Sequence, residues 1–171
     1  VWTNWRHIWT KLKLNYCRLA NQTMSIRIRE AQEADIPQMM KVRLEVNENQ
    51  LSDPGWVTYE DCLDYIIHRG KGWVAEIDKD IVGFAIADVK DANVWALFMH
   101  PDFEKRGIGK KLHHIMLEWY FHQDKKNIWL STDPNSRANE FYQRQGWTPT
   151  VILESGEQRF EMTLEGWIQS K

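Results

Sequence analysis

The sequence predicts an α/β (α+β) domain built on a mixed, mostly antiparallel central sheet with helices on both faces. Three observations predict it. From Met24 onward the apolar periodicity switches repeatedly between two and 3.6 residues. Strand-like runs at 72–77, 81–89 and 93–99 adjoin across short polar turns. Helical runs punctuated by glycine alternate with the strands that follow.

The elements follow in order. Ser25-Ile26-Arg27-Ile28-Arg29 reads as a first strand over 25–30. Asp35 can cap a helix whose first turn tolerates Pro37 and whose Ile36, Met40, Arg43 and Leu44 share a face. After the Asp53-Pro54-Gly55 turn, Thr58 and Asp61 stand in capping-box spacing ahead of Leu63, Ile66 and Ile67. Asp78-Lys79-Asp80 and Lys90-Asp91-Ala92 then join three strands into an antiparallel meander. A long helix over 107–123 turns Ile108, Leu112, Ile115, Met116 and Trp119 inward. A strand at 127–132, a helix at 136–145 stopped by Gly146, and a terminal hairpin turning at Ser155-Gly156 complete the order β-α-α-β-β-β-α-β-α-β-β.

At 171 residues, 43% hydrophobic and 27% charged, the chain has the size and composition of one globular domain. No run approaches the roughly 18 to 20 apolar residues of a membrane-spanning helix. The two cysteines, Cys17 and Cys62, form neither a disulfide framework nor a CxxC pattern. With no secretory signal at the start, they point to the cytoplasm. Residues 1–23 carry four basic residues and no acid, and step Trp2, Trp5, Trp9, Leu12, Tyr16 and Leu19 by three and four. That pattern suits a basic amphipathic helix for a membrane surface or a partner groove. The abrupt composition change and the opening Val1 favour an extension outside the native domain, which then spans 24–171. The remainder holds 18 basic and 24 acidic residues, a net of −6. Such a body disfavours nucleic acid and favours a cationic substrate such as an amine.

The most informative stretch is Phe98-Met99-His100-Pro101-Asp102-Phe103-Glu104-Lys105-Arg106-Gly107-Ile108-Gly109-Lys110, a strand leading through a glycine-bearing loop into a helix. Backbone N–H groups at a helix N-terminus bind anions without any particular side chain, and Gly107 and Gly109 allow close approach. A strand-to-helix turn that binds nothing has the same outline. The P-loop pattern fails, because Gly109-Lys110 is followed by Lys111 and no glycine stands five before Gly109. A dinucleotide fingerprint fails as well, since Leu112 occupies the third glycine position and an antiparallel meander precedes the loop. The second element is Asn135-Ser136-Arg137-Ala138-Asn139-Glu140-Phe141-Tyr142-Gln143-Arg144-Gln145-Gly146-Trp147, with Ala138, Phe141 and Tyr142 on one helix face. On its own, Tyr142 reads equally as a core aromatic. There is no HExxH and no GxSxG, and His113 and His114 point to different faces, so no metal and no serine hydrolysis are expected.

Together the two elements resemble the GNAT superfamily of acetyl-CoA-dependent N-acetyltransferases over Met24–Lys171. The loop at 104–109 looks like that family's Gln/Arg-x-x-Gly-x-Gly/Ala pattern. The segment at 135–147 looks like its Asn-x-x-Ala-x-x-Phe-Tyr-x-x-x-Gly-Phe pattern. The resemblance implies a GNAT-type sheet and acetyl-CoA as co-substrate. It implies CoA contacts from Leu97, Met99, Lys105, Arg106, Gly107, Ile108, Gly109, Lys110 and Asn135, and Tyr142 as general acid. Two positions depart from the pattern. Glu104 stands where the family has Gln or Arg, and is tolerable if it points away or pairs with Lys105, Arg106 or Lys110. Trp95 or Ala96 stands where many relatives place a catalytic glutamate, so the general base stays open.

Direct acyl transfer sets three needs. Oriented N–H groups near Leu97 and Met99 could meet the oxyanion. Tyr142, with a phenol pKa near 10 against about 8.5 for a thiol, suits the leaving group. An amine of pKa about 10.4 must lose a proton. Glu76, Asp88, Glu45, Glu48 and Asp53 are the candidate bases. Trp56, Tyr59, Trp73 and Trp95 are candidate walls of the acceptor pocket, by cation–π contact or simply as core. The expected acceptor is an amine on a small molecule or peptide, without nucleic acid or membrane as partner. Exposed strand edges in the C-terminal half leave room for a homodimer. A non-catalytic acyl-CoA-binding module of the same fold, and an interaction protein docking through residues 1–23, are the competing readings.

Overall fold

The computed structural model describes residues 25–46, 57–123 and 126–171. The segment 1–23, Met24, the Asp53-Pro54-Gly55 turn, and the candidates Glu48, Asp53 and Trp56 lie outside them. In chain order the elements are β1 (Arg27–Glu30), α1 (Ile36–Glu45), α2 (Tyr59–Asp64), β2 (Gly70–Ile77), β3 (Asp80–Asp88) and β4 (Asn93–Met99). They continue with α3 (Ile108–Gln123), β5 (Ile128–Thr132), α4 (Arg137–Arg144), β6 (Thr148–Ile152), β7 (Gln158–Met162) and α5 (Leu164–Gln169). The strands form one sheet in the order β1-β2-β3-β4-β5-β7-β6. Every neighbouring pair is antiparallel except β4 and β5. Among the described residues no helix is long and apolar enough to cross a membrane.

Strand alternation divides the core between the two faces of the sheet. Ile81, Phe84 and Ile86 of β3 pack with Ile36, Met39 and Val42 of α1 and Cys62 of α2 on one face. Ala85 and Ala87 pack with Ile108, Leu112, Met116 and Tyr120 of α3 and with Tyr142 on the other. The β2–β3 turn closes through Asp78 and Lys79, both at positive φ, as a two-residue hairpin loop requires. At the second helix the capping box forms as its spacing predicts: Asp61 N–H donates to Thr58 Oγ1 at 3.1 Å, and Thr58 N–H to Asp61 Oδ2 at 2.9 Å.

Several helical faces differ from expectation. In α1 the buried residues are Ile36, Met39 and Val42, while Met40 and Arg43 are half-buried and Leu44 is exposed. Asp35 precedes that helix without capping it. Its carboxylate instead accepts Gln32 N–H at 2.8 Å and pairs with Arg29 at 2.6 Å, tying the first strand to the helix start. After α2 the chain widens into a π-helical turn, Tyr65–Arg69, which changes the phase so that Ile66 is buried and Ile67 exposed. In α3 Ile115 is exposed, and His113, Leu117, Tyr120 and Phe121 complete the inner face. The sequence reading also passed over α5, whose Thr163 Oγ1 accepts Gly166 N–H at 2.9 Å as an N-cap.

The buried His113 is neutral for a geometric reason. Its Nε2 accepts Trp147 Nε1–H at 2.8 Å, while Phe141, Tyr142 and Trp167 surround the ring. Burial above all, then the charges of His114 and Lys110, pushes its pKa down to about 3, against about 6.5 for a free histidine. The unfolded chain therefore binds one more proton here than the native one between those two values. Native stability should fall as pH drops through that window. His113→Leu should flatten this slope by up to about 1.4 kcal/mol per pH unit in urea melts run between about pH 4 and 6.

Candidate functional site

A bulge and a divergence shape the site. Ile86 pairs with Ala96 and Ala87 with Val94, so Trp95 is an extra residue on β4 with no partner across the ladder. The parallel contact between β4 and β5 consists of Asn93 opposite Trp129. Asn93 Nδ2–H to Trp129 O at 3.2 Å and Trp129 Nε1–H to Asp91 O at 3.1 Å reinforce it. Beyond this point the strands separate. His100 N–H donates to Val82 O of β3 at 2.8 Å. Strand alternation therefore turns the N–H groups of Met99 and Leu97 toward the opposite edge, where the sheet opens.

At this edge lies a cleft of about 600 Å³, walled by Leu97, Phe98 and Met99, by the loop after β4, and by Ala138, Phe141 and Tyr142 of α4. The volume is that of an ordinary ligand site. His100 Nδ1 accepts Asp102 N–H at 3.1 Å and caps a short 3₁₀ turn, Pro101–Phe103. Lys105 and Gly107 then take φ of 59° and 76°, which curls the backbone ahead of α3. The first amide hydrogen bond of the helix runs from Lys111 N–H to Gly107 O at 3.2 Å. The N–H groups of Ile108, Gly109 and Lys110 precede it and have no acceptor within the helix. A Cβ added at Gly107 would meet nothing within 4 Å, so the curl is open on the cleft side. Lys105 and Lys110 line the same wall. Oriented amides, two cations and an open curl fit a polyanion such as a pyrophosphate.

Glu104 resolves differently from expectation. Its carboxylate pairs with Arg137 at the start of α4, at 2.5 and 3.1 Å, and not with Lys105, Arg106 or Lys110. This fork-to-fork contact bridges two walls of the cleft and neutralises the one acid of the loop's first position. Arg106 lies over the Phe103 ring and donates to Asp102 O at 3.1 Å, and it does not line the cleft. Asn135 sits exposed in the turn before α4, its N–H on Asp133 Oδ1 at 2.7 Å, also off the cleft wall. Leu97, Met99, Lys105, Gly107, Ile108, Gly109, Lys110 and Tyr142 are brought together there.

Helix α4 delivers Tyr142. Ser136 Oγ caps the helix by accepting Asn139 N–H at 3.1 Å. Gly146, at φ 84°, ends it with Trp147 N–H on Tyr142 O at 3.1 Å. The Tyr142 ring is wedged among Phe141, Trp147, Phe160 and the neutral His113. Burial pushes its phenol above the ordinary value.

A second cavity, of about 200 Å³, lies on the other side of β4. Met40 and Arg43 of α1, Cys62, Phe84, Trp95 and Phe98 line it, and Phe98 also lines the cleft. Of the aromatics proposed from sequence, Trp95 reaches this cavity. Trp73 is core against Trp119, and Tyr59 donates its O–H to Glu33 at 3.1 Å. Among the candidate carboxylates, Glu76 pairs with Arg29 at 3.0 Å, and Asp88 is buried under Arg69 at 2.6 Å. Glu45 is exposed and lines neither cavity, and it accepts from His100 Nε2 at 2.9 Å. Sequence reasoning missed Arg137, Arg43, Phe98 and His100. Their partners are far away in the chain, and no spacing rule joins them.

The sequence model of the Acetyltransferase (GNAT) family matches residues 35–147. An uncharacterized N-acetyltransferase of Archaeoglobus fulgidus is 30% identical over 136 residues, covering 70% of this chain and 91% of that protein. Among solved structures, PaiA N-acetyltransferase from Thermoplasma acidophilum in complex with coenzyme A superposes with a TM-score of 0.68 at 17% identity, over 82% of this chain and 99% of the other. The ribosomal-protein-S18-alanine N-acetyltransferase from Escherichia coli gives 0.65 at 16% identity, over 82% and 93%. These two likenesses concern the fold.

Removing the Glu104 charge should make the cleft wall more positive by one unit. Glu104→Gln should tighten inorganic pyrophosphate, titrated calorimetrically at low salt, by about two- to fivefold, and the gain should vanish as salt screens the loop.

Proposed function

Since the chain belongs to the acetyltransferase (GNAT) family and is an acetyl-CoA-dependent N-acetyltransferase, we propose that it transfers the acetyl group to a primary amine of a small-molecule or peptide acceptor by direct attack in a ternary complex. The observation that carries this reading is the convergence in one cleft of the anion-binding curl, the open edge of β4 and Tyr142. The N–H groups of Ile108, Gly109 and Lys110, with Lys105 and Lys110, hold the pyrophosphate of CoA. The amides of Leu97 and Met99 take the pantetheine arm and meet the negative charge that develops on the carbonyl oxygen.

In the transfer the neutral amine forms the N–C bond, the C–S bond breaks, and the electron pair leaves on sulfur. The phenol of Tyr142 is protonated at neutral pH, as an ordinary phenol is, and its O–H faces the departing thiolate as the donor, its proton being restored from solvent afterwards. The proton that the amine must shed before attack goes to Glu45, whose carboxylate meets His100 just after β4 at 2.9 Å, whereas Glu76 and Asp88 are taken up by Arg29 and Arg69. Two cysteines without a disulfide framework support a cytoplasmic setting. The exposed Val151 and Ile152 on β6, the outer strand, support a homodimer through that edge.

The test titrates acetyl-CoA into the protein and then follows free thiol across a panel of amines. Binding with thiol release supports the transferase; binding with none on any amine leaves a non-catalytic acyl-CoA module; no binding overturns the reading. Tyr142→Phe should lower kcat by about 10²-fold with the acetyl-CoA Kd unchanged, and unchanged turnover removes Tyr142 from the mechanism. Glu45→Gln should slow the reaction most at neutral pH, with the deficit shrinking as pH approaches the amine's own pKa near 10. A deficit independent of pH excludes Glu45 as the base.

A further inference from the structure

The second cavity bears on which amine is used. Phe98 is a wall of both this cavity and the cofactor cleft, so a group seated in the cavity lies one side chain away from the thioester. Its described walls are apolar: Met40, Cys62, Phe84, Trp95 and Phe98. Burial pushes the Cys62 thiol up to about 11, so even this residue is neutral and packs as a small apolar group. Among the described lining residues the charged one is Arg43, a cation. One face of each ring beside the cleft is already covered. Trp95 stacks on Tyr65 at 4.1 Å, and the Arg43 guanidinium lies 4.2 Å from the Phe98 centroid. An acceptor carrying a second ammonium group would have to desolvate that charge among these apolar walls. A cavity of about 150 Å³ lined by aliphatic and aromatic side chains holds a benzene ring. At about 200 Å³, this one has room for a ring and a short linker.

We propose that the acceptor is an apolar monoamine, an arylalkyl- or branched alkylamine, whose hydrophobic group fills the cavity between α1 and β3–β4 while its nitrogen reaches past Phe98 into the cleft. The inference rests on the transferase reading. It is separable from that reading, because acetyl-CoA binding reports on the cleft and amine choice on the cavity. In it Trp95 and Phe98 act as apolar surface.

The experiment uses the full chain. Calorimetry measures 2-phenylethylamine with and without acetyl-CoA. Thiol release then ranks 2-phenylethylamine and isoamylamine against putrescine, spermidine and a short alanine-terminated peptide. The expected result is kcat/KM for the two apolar amines higher by about tenfold or more, the scale on which one or two methylenes discriminate in an apolar pocket. Met40→Trp, which fills the cavity from α1, should cost 2-phenylethylamine a similar factor and leave acetyl-CoA affinity unchanged. Thermal melts check that the variant folds. Acetyl-CoA binding with spermidine, putrescine or the peptide as best acceptor overturns the proposal, as does a Met40→Trp enzyme that treats 2-phenylethylamine like the parent. Failure of acetyl-CoA to bind overturns the transferase reading instead. In that event, absence of heat with 2-phenylethylamine alone also ends the cavity proposal.

Discussion

The single parallel register between β4 and β5 is the constraint on which the functional geometry depends. Asn93 and Trp129 hold the strands together at one end, and the bulge at Trp95 bends β4 just beyond it. Had the pairing continued, the amides of Leu97 and Met99 would have been spent on the ladder, and the cleft would have been a filled sheet. Because it stops, the strand keeps its backbone geometry from β3 alone, and its second edge is available. The same bulge returns Trp95 to the side of Ala96 and Phe98. One irregularity thus opens a groove on one side of the strand and furnishes a cavity on the other.

Charge is arranged to tolerate an acidic body around an anion site. Outside residues 1–23 the chain has six more acids than bases, and Glu104 stands at the head of the anion-binding curl. The bidentate contact with Arg137 removes that conflict locally and couples the curl to the helix that carries Tyr142. Behind Tyr142 the environment is neutral: His113 is held uncharged by burial and by its bond from Trp147. The phenol is therefore surrounded by groups that keep its proton on, which makes it a weaker acid than a free tyrosine and suits an O–H that donates a hydrogen bond.

Much of the fold was legible because it rests on local signals. The meander turns at Asp78-Lys79 and Lys90-Asp91-Ala92, the Thr58 capping box and the Gly146 stop are short-range chemistry. The curl and Tyr142 were readable as motifs, and eight of the proposed site residues do line one cleft. What escaped was non-local. The inner face of α1 follows Met39 and Val42, and Asp35 is drawn to Arg29, a partner in the preceding strand, so it does not cap the helix. The π-helical turn after α2 breaks the 3.6 period that placed Ile67 inside. The Glu104–Arg137 bridge joins residues 33 positions apart, and the Trp95 bulge leaves no mark in apolar alternation.

The partition at Phe98 separates two kinds of recognition that age differently under mutation. In the proposed site the curl before α3 would grip the cofactor through backbone amides, which no ordinary substitution removes. The cavity beyond Phe98 is made of side chains, several of them on the half-buried face of α1, and each can be exchanged without touching the curl. If the cavity selects the acceptor as proposed, a lineage carrying this domain can drift from one acceptor to another by single changes in one helix while its acyl donor stays constant. For an engineer the same division marks positions 40, 43 and 95 as the place to begin a library, and the stretch from Glu104 to Lys110 as the part to leave alone.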